Sequence, residues 1–565
     1  MTGLLQNEWI KIRKQTGYRV FLILFAVVVL LVAPVSKLFS ELMNGSVLTP
    51  EKEKENYEEM ADYYRENGDT AEAEYYTGLA DSLSFFIEEK IGTDSWRYRS
   101  FAEDYQSICV AAQLCAAVTG GRLEAEKLIG RAYTVDGSSY YLVPEEAVDE
   151  NNRVTDAFDA SETLRSLEAL KKTEEDKILH ADEMAAVRDR IAERETRVAA
   201  AKATVSELEE AVRKSPDNQG LRYKLDSAKR TLDGEEEVLL AYRQLLERNA
   251  GCDSWQYRAV TEVLVPAVAY YPATVVMPEE VYREQNNSGT SYATYLRGTE
   301  EVTKATEGAV STVWYSLSNN VPLYAGTEST SVRSTFLSGF DMICGWISLF
   351  LIVVAVLTVS SEYTSGTIRL LLIRPKKRSK IVLSKYFCVA LVAAGMVFGA
   401  LVLHVIMTII LNGPSDLFLP KLFGYGDRVL KLNGVLYLIV YALLKLVGIL
   451  LPATFGFLLA TLIRKSALPI ILSILGSSVA SGIQSLARFI QYTFSFRALD
   501  FTILTNFDPA SRLVAATDIV TSYDFSNYLC NRSVCLPASV AVTVLHVALI
   551  AFFAVLVFCK REVRS

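Results

Sequence analysis

The chain has 565 residues, is 51% hydrophobic and carries a formal net charge of −8 at pH 7. Residues 38–336 hold 55 of the 65 Asp and Glu but only 32 of the 57 Lys and Arg, so an acidic stretch lies within a basic, apolar remainder. The eight cysteines form no Cys-x-x-Cys pair, the three histidines are dispersed, and no phosphate-binding loop or zinc-protease motif occurs in the sequence. These absences argue against a metal site or an ATPase within this chain.

Six apolar segments are long enough to cross a membrane as helices, which takes about 20 residues each. They are predicted at residues 19–38, 336–359, 386–411, 434–463, 467–486 and 537–559. A signal peptide is the alternative for the first segment, but its basic leader is long and no clean cleavage site follows it. We therefore expect a mainly α, polytopic membrane protein with six transmembrane helices.

The basic residues predict the orientation of these helices, because cytoplasmic flanks collect Lys and Arg. Segments 1–19, 360–385, 464–466 and 560–565 together hold 16 Lys and Arg and three acids. We therefore expect a multi-pass protein of the cell (plasma) membrane with both termini in the cytoplasm. This topology explains the basic residues without a nucleic-acid partner, and it makes residues 39–335 an extracellular domain.

The predicted extracellular domain is mainly helical and contains an antiparallel coiled-coil hairpin at about residues 182–248. Its first helix has a heptad seam that Arg194 interrupts, and its second helix has a leucine at every seventh position. The seam residues are Val187, Ile191, Val198, Val205, Leu208 and Val212, followed by Leu225, Leu232, Leu239 and Leu246. An intermolecular zipper is the alternative, but the short turn at 214–220 favours a hairpin within one chain.

A short motif occurs twice in this domain, as GTDSWRYR at 92–99 and GCDSWQYR at 251–258. Each copy is predicted to begin a helix, with Asp94 or Asp253 as the N-cap and a tryptophan in the core. The match is short enough that chance similarity is an alternative to duplication. The Val-, Tyr- and Pro-rich stretch that starts at Val263 predicts extended chain, with a few strands.

Several cysteines and ionisable residues have two interpretations each. Cys530 and Cys535 are close enough for a disulfide in an oxidising compartment, but these two and Cys109, Cys115 and Cys252 are each either bridged or buried as free thiols. Ionisable groups in membrane spans are candidates for function. For His404 and His546 we expect neutral, hydrogen-bonded packing, and for Lys445 a side chain that reaches the outer interface by snorkelling. The helix-packing motifs Gly395-xxx-Gly399, Gly476-xxx-Ala480 and Ser478-xxx-Gly482 are only weakly specific.

Two basic segments on the predicted inner side have amphipathic character. The N-terminal one presents Leu5, Trp9 and Ile12 on one face, and its flanking residues Lys11, Arg13 and Lys14 suit an inner-face membrane anchor. The other is SSEYTSGTIRLLLIRPKKRSK at 360–380. Thr364 or Ser365 is predicted to cap a short helix there, with Glu362 near its positive end and Arg374-Pro375 at its end. The predicted contacts of this segment with anionic headgroups are Lys376, Lys377, Arg378 and Lys380.

These two segments, NEWIKIRKQTGYRVFLILF and SSEYTSGTIRLLLIRPKKRSKIVLSKYF, resemble the type-2 permease subunits of ATP-binding-cassette transporters, the ABC-2 type. The resemblance covers about 1–37 and 336–565; its most specific motif is EYTSGTIR, and the insertion of about 300 residues departs from compact members. It implies that 360–385 is a cytoplasmic coupling segment that docks on the ATPase, and that 487–536 is the outer connection between the last two spans. The residues it assigns to coupling are Glu362, Thr364, Gly366, Thr367 and Arg369.

The resemblance implies a permease subunit of an exporter that moves an unidentified substrate: a peptide, an antibiotic, a lipid or an ion. The chain itself would not be an enzyme and would hold no cofactor or metal. Two copies of a separate ATPase subunit would bind ATP and magnesium, and a homodimer or a heterodimer with a second permease would form the pathway among membrane lipids. The alternative from a different class is a membrane-anchored extracellular scaffold or sensor that uses the helical hairpin to bind a partner.

Overall fold

The computed structural model describes residues 2–14, 16–43, 49–93, 95–135, 138–155, 157–180, 182–285, 290–323, 331–364, 377–414, 416–426, 428–494, 497–522 and 536–560. The protein is mainly α, which confirms the predicted class. It divides into two compact units. The acidic unit comprises Phe39–Asp217 and Lys224–Thr261, and the apolar unit comprises Met1–Leu38, Asn218–Tyr223 and Glu262–Ser565.

The first half of the chain is almost entirely helical. Its helices are α1 (Thr2–Lys14), α2 (Thr16–Met43), α3 (Pro50–Glu66), α4 (Thr70–Glu88), α5 (Trp96–Thr119), α6 (Ala160–His180), α7 (Glu183–Lys214), α8 (Gln219–Glu247) and α9 (Trp255–Ala259). Between α5 and α6 lie 3₁₀ turns at Ala125–Leu128 and Glu145–Ala147 and an antiparallel hairpin of β1 (Ala132–Val135) and β2 (Ser138–Tyr141).

The acidic unit has its own hydrophobic core. Residues of α5 such as Ile108 and Leu114 are buried against Leu128, Leu142 and Leu167, which come from the following turn, hairpin and helix. Apolar side chains at helical spacing on α5 supply this face, and their burial stabilises the unit.

Serines, and not the predicted aspartates, cap the two helices that begin in the repeated motif. Ser95 Oγ accepts the backbone N–H of Tyr98 at 3.2 Å, and Ser254 Oγ accepts the backbone N–H of Tyr257 at 3.1 Å. Trp96 of α5 is only half-buried, as is its counterpart in the second copy, so neither tryptophan occupies the predicted core position. A serine one residue nearer the helix reaches the N3 amide, so the prediction was wrong by one position.

The predicted hairpin helices occur as α7 and α8, with Asp182 as the N-cap of α7. Ion pairs between Glu195 and Arg243 (2.6 Å), Lys202 and Glu236 (2.9 Å), and Glu209 and Lys229 (2.9 Å) show that the helices run antiparallel. Coiled-coil packing along their seam remains a prediction.

The stretch that begins at Val263 is helical, and the prediction of extended chain was wrong. It contains a π-helical turn at Val260–Leu264, α10 (Val265–Ala269), a 3₁₀ turn at Tyr271–Thr274 and α11 (Glu279–Gln285). Pro266 and Pro272 lie in the first turns of their helices, where the missing N–H has no intrahelical partner to lose. Proline therefore marks helix starts here.

The second half of the chain contains the apolar helices. Its elements are α12 (Tyr292–Asn319), α13 (Val332–Thr364), α14 (Arg378–Asn412), β3 (Lys421–Tyr425), β4 (Arg428–Leu432), α15 (Gly434–Ile463), α16 (Ala467–Phe494), α17 (Ala516–Ser522) and α18 (Leu536–Lys560), with 3₁₀ turns at Arg497–Phe501 and Pro509–Arg512. Among the described residues, five helices are long and apolar enough to cross a membrane: α13, α14, α15, α18 and Ala467–Ala487 of α16. The first predicted span falls in α2, whose described apolar stretch, Leu22–Val35, is shorter.

Helix α13 is central to the apolar unit and packs against α14 and α15. Phe340, Ile347 and Ala355 on α13 are fully buried with Val397 of α14 and Ala442 of α15. Residues from several faces of α13 enter this core, as expected of a helix surrounded by others.

The antiparallel hairpin β3–β4, which the sequence did not predict, lies against α12. Gly308 of α12 and Gly424 of β3 allow the two backbones to touch, because a Cβ at Gly308 would lie 2.6 Å from the carbonyl oxygen of Gly424. The two glycines therefore fix the position of this hairpin.

Candidate functional site: a buried ion-pair cluster that joins three helices

The structure describes only part of the predicted site. Glu362 and Thr364 end α13, and Lys377, Arg378 and Lys380 begin the chain that continues into α14. The predicted residues outside the described part are Gly366, Thr367, Arg369, Lys376, Cys530, Cys535 and the side chain of Lys14.

Glu362 lies in the last described turn of α13, and the short helix that the sequence predicted after it falls outside the described residues. It is 6% exposed, and its position is unfavourable for a carboxylate because a helix C-terminus carries partial negative charge. Thr364 is also helical, and its hydroxyl donates to the carbonyl of Ser360 at 3.2 Å. The buried carboxylate therefore needs cations from elsewhere in the chain.

Lys385 of α14 supplies the first of these cations. Its Nζ donates to Glu362 Oε1 at 2.6 Å, to Glu8 Oε2 at 2.9 Å and to the carbonyl oxygen of Thr358 at 3.2 Å. An ammonium group has three protons, so these bonds engage all of its donors. The side chain is 2% exposed, and a lysine so deeply buried is tolerated only when it is paired in this way.

Helix α1 contributes the other two members of the cluster. Lys11 Nζ lies 2.9 Å from Glu362 Oε1 and 3.5 Å from Glu8 Oε1, and half of its side chain is exposed. Partial burial lowers the pKa of Lys11, but the neighbouring carboxylates outweigh that effect and raise it. Two carboxylates and two ammonium groups thus form a neutral cluster that joins α1, α13 and α14.

The predicted anchor residues divide between this cluster and the surface. Lys11 belongs to the cluster, whereas the side chains of Trp9 and Arg13 are exposed on α1. Lys377 and Lys380 are exposed at the start of α14. Contact of these exposed residues with lipid remains a prediction.

Sequence reasoning missed Glu8 and Lys385 as functional candidates. They lie 377 residues apart, so no local pattern relates them. The available signal was the scarcity of acids: Glu8 and Glu362 are two of only three acids in the four basic flanks. Both proved to be buried and paired.

A second charged group lies within the apolar unit and corrects the prediction for Lys445. Its Nζ pairs with Asp341 at 3.0 Å and Asp508 at 2.8 Å, and its side chain is 12% exposed, so it does not snorkel. Tyr441 also donates its hydroxyl proton to Asp341 at 2.7 Å. The residues next to Lys445 in the sequence are apolar and gave no sign of an ion pair, because its partner Asp508 lies 63 residues away, just before the turn Pro509–Arg512.

His404 and His546 are hydrogen-bonded within their helices' surroundings, as predicted, and the described cysteines are unbridged. His404 Nε2 lies 3.2 Å from the carbonyl oxygen of Phe336, and His546 Nδ1 lies 2.7 Å from that of Val542. The described cysteines are free thiols: Cys109, Cys115, Cys252, Cys344, Cys388 and Cys559. The described part of the chain contains no group of His, Cys, Asp or Glu arranged to hold a metal.

Comparison with known proteins gives two similarities. Residues 314–564 match a family model described as "Protein of unknown function (DUF2705)". The chain is also similar to "Uncharacterized protein YhcI" of Bacillus subtilis (strain 168), with 32% identity over 173 residues, which are 28% of this chain and 50% of the relative. The chain thus spans about half the length of that curated relative. No solved structure matches this chain.

Proposed function

We propose that the chain is the permease subunit of an ATP-binding-cassette exporter, driven by a separate ATPase. The observation that carries this proposal is the ion-pair cluster, which joins α1 to the two helix ends on either side of residues 365–376. Those residues include Gly366, Thr367 and Arg369, three of the five residues predicted to couple to the ATPase. A segment that receives force from a partner needs such a firm connection to the membrane helices.

The cluster suits this role because it is costly to open. Separating Lys385 from Glu362 and Glu8 leaves its buried ammonium without a carboxylate and leaves the two buried carboxylates with only the half-exposed Lys11, and breaking a buried pair typically costs about 3–5 kcal/mol. The ends of α13 and α14 and the whole of α1 would therefore move together when the ATPase displaces the coupling segment. Closure of the ATPase dimer on ATP would then change the packing of the membrane helices. The pathway would open in turn to the two sides of the membrane.

The proposal includes six spans in the cell membrane, both termini in the cytoplasm and an extracellular acidic unit. The charge distribution along the sequence supports this topology. Protease added to intact cells should cut near 214–220 and spare 374–380. Cutting at 374–380 with 214–220 intact would overturn the orientation.

Purification of the tagged full chain in mild detergent tests the coupling directly. We expect an ATPase with a phosphate-binding loop to copurify, and we expect Arg369→Glu to reduce its amount and to weaken efflux. Lys560→Glu reverses an exposed base that lies outside the coupling segment on the same predicted side of the membrane, and it serves as the matched control. If no ATPase copurifies and Arg369→Glu leaves efflux unchanged, the scaffold or sensor function becomes the better account.

A further inference from the structure

A cavity of about 280 Å³ lies in the apolar unit, away from the ion-pair cluster. The first turns of α13, Tyr437 and Tyr441 of α15, Lys421 of β3 and residues 510–521 line it. Four charged side chains face it: Arg333, Asp416, Lys421 and Asp518. The permease function proposed above gives none of them a role.

The two acids of the cavity are already hydrogen-bonded. Asp416 is 2% exposed and accepts the Ser331 hydroxyl at 2.6 Å and the Val332 amide at 3.0 Å, at the N-terminus of α13. Asp518 accepts a hydrogen bond from the Lys421 ammonium on one oxygen and from the Ala515 amide on the other. Each carboxylate oxygen therefore already has a donor, and no carboxylate in the cavity is left to pair with a cationic ligand.

The cavity has, in contrast, more hydrogen-bond donors than acceptors to pair with them. Arg333 is 7% exposed and uses Nη2 for the carbonyls of Asp416 and Leu419, but its buried Nε has no acceptor among the described residues. Tyr437, whose ring lies 5.7 Å from the Arg333 guanidinium carbon, is 3% exposed and also lines the cavity. A buried donor without an acceptor is costly, so the Arg333 Nε favours a ligand that accepts hydrogen bonds.

The remaining wall of the cavity is apolar and includes Val263, Leu337, Leu513 and Val514. We propose that the cavity binds a phosphate group, with Arg333 and Tyr437 as its donors and Lys421 as the second cation. The Arg333 guanidinium supplies a charged donor at Nε, and three phosphate oxygens use the available donors better than a carboxylate does. The apolar wall fits the first carbons of a phospholipid, although a free phosphate shares the same chemistry.

The test uses the purified full chain in a neutral detergent, with binding followed by calorimetry. The probes are dioctanoyl phosphatidic acid, dioctanoylglycerol, which has the same acyl chains without the phosphate, and inorganic phosphate. We expect phosphatidic acid to bind at least tenfold more tightly than dioctanoylglycerol. Competition by inorganic phosphate would identify free phosphate as a ligand of the same site, and its absence would identify the lipid headgroup.

Variants connect the binding to the named side chains. Tyr437→Phe keeps the ring and should weaken the binding of phosphatidic acid about tenfold, and Arg333→Lys should weaken it further because the Nε donor is lost. Thr521→Val is the matched control, because its hydroxyl lines the cavity but donates to the Thr517 carbonyl. Equal affinity for phosphatidic acid and dioctanoylglycerol, or unchanged affinity in Tyr437→Phe, would overturn the inference. Loss of ATPase binding would not affect it.

Discussion

Lys385 and Glu362 form a 2.6 Å ion pair that joins the beginning of α14 to the last turn of α13. Both side chains are buried, and the 13 residues between the two helices, 365–377, include five of the eight residues of EYTSGTIR, the most specific motif in the resemblance to ABC-2 permeases. The pair therefore connects the membrane helices to the segment on which the proposed partner would act.

Lys385→Met should destabilise the protein strongly. It removes the cation between Glu362 and Glu8 and leaves two buried carboxylates, which typically costs about 3–5 kcal/mol. The measurement is the unfolding temperature of the purified chain in detergent. Lys11→Gln should cost roughly 1 kcal/mol or less, since half of that side chain is exposed, and Lys380→Gln should have no effect. Equal loss from Lys385→Met and Lys380→Gln would refute a structural role for the cluster.

Gly308→Ala should destabilise the contact between α12 and β3. The added Cβ would lie 2.6 Å from the carbonyl oxygen of Gly424, and overpacking of this kind costs about 1–3 kcal/mol. Gly345→Ala in α13 is the matched control, because its Cβ would meet nothing within 4 Å. Thermal unfolding should separate the two variants; identical midpoints would contradict the glycine contact.

Arg194 and Glu235 should show strong coupling in a double-mutant cycle. Arg194 is 8% exposed and donates to Glu235 at 2.8 Å within the hairpin seam. Arg194→Leu alone should destabilise the chain by about 1–3 kcal/mol, whereas adding Glu235→Leu should recover most of that loss, since apolar residues can replace a buried pair. Chemical denaturation provides the measurement, and additive losses would exclude the interaction.

Cys115 should resist alkylation in the folded protein. Burial raises the pKa of its thiol to about 11, so it stays protonated where an ordinary thiol ionises. Because the unfolded chain loses this proton first, the free energy of unfolding should fall as the pH rises from about 9 to 11. Mass spectrometry after maleimide treatment at pH 8 should show that the half-buried Cys559 reacts faster. Equal labelling of both cysteines in the folded chain would contradict the burial.

Local periodicity was sufficient to predict most helices. Heptad positions and the 214–220 turn give α7 and α8 nearly to the residue, and long apolar runs give α13 to α15. The two hairpins were missed because their strands have only four or five residues, too few for an alternating pattern to be distinctive.

Contacts between distant residues could not be predicted in the same way. Glu8 reaches Lys385 across 377 residues, and Lys445 reaches Asp508 across 63, so only the folded chain brings each pair together. The sequence predicted that Lys445 would avoid burial, whereas the structure neutralises it with acids. Charge alone therefore identified the candidate region but not the partners of its charges.

The most direct test of the proposed function is site-specific crosslinking at the coupling segment in intact membranes. A photoreactive amino acid at Thr367 should crosslink to an ATPase subunit, and ATP should change the yield. The same probe at Tyr140, exposed in the acidic unit, should give no such product. Failure of the Thr367 probe to capture an ATPase, while the protein remains folded and in the membrane, would contradict the permease account.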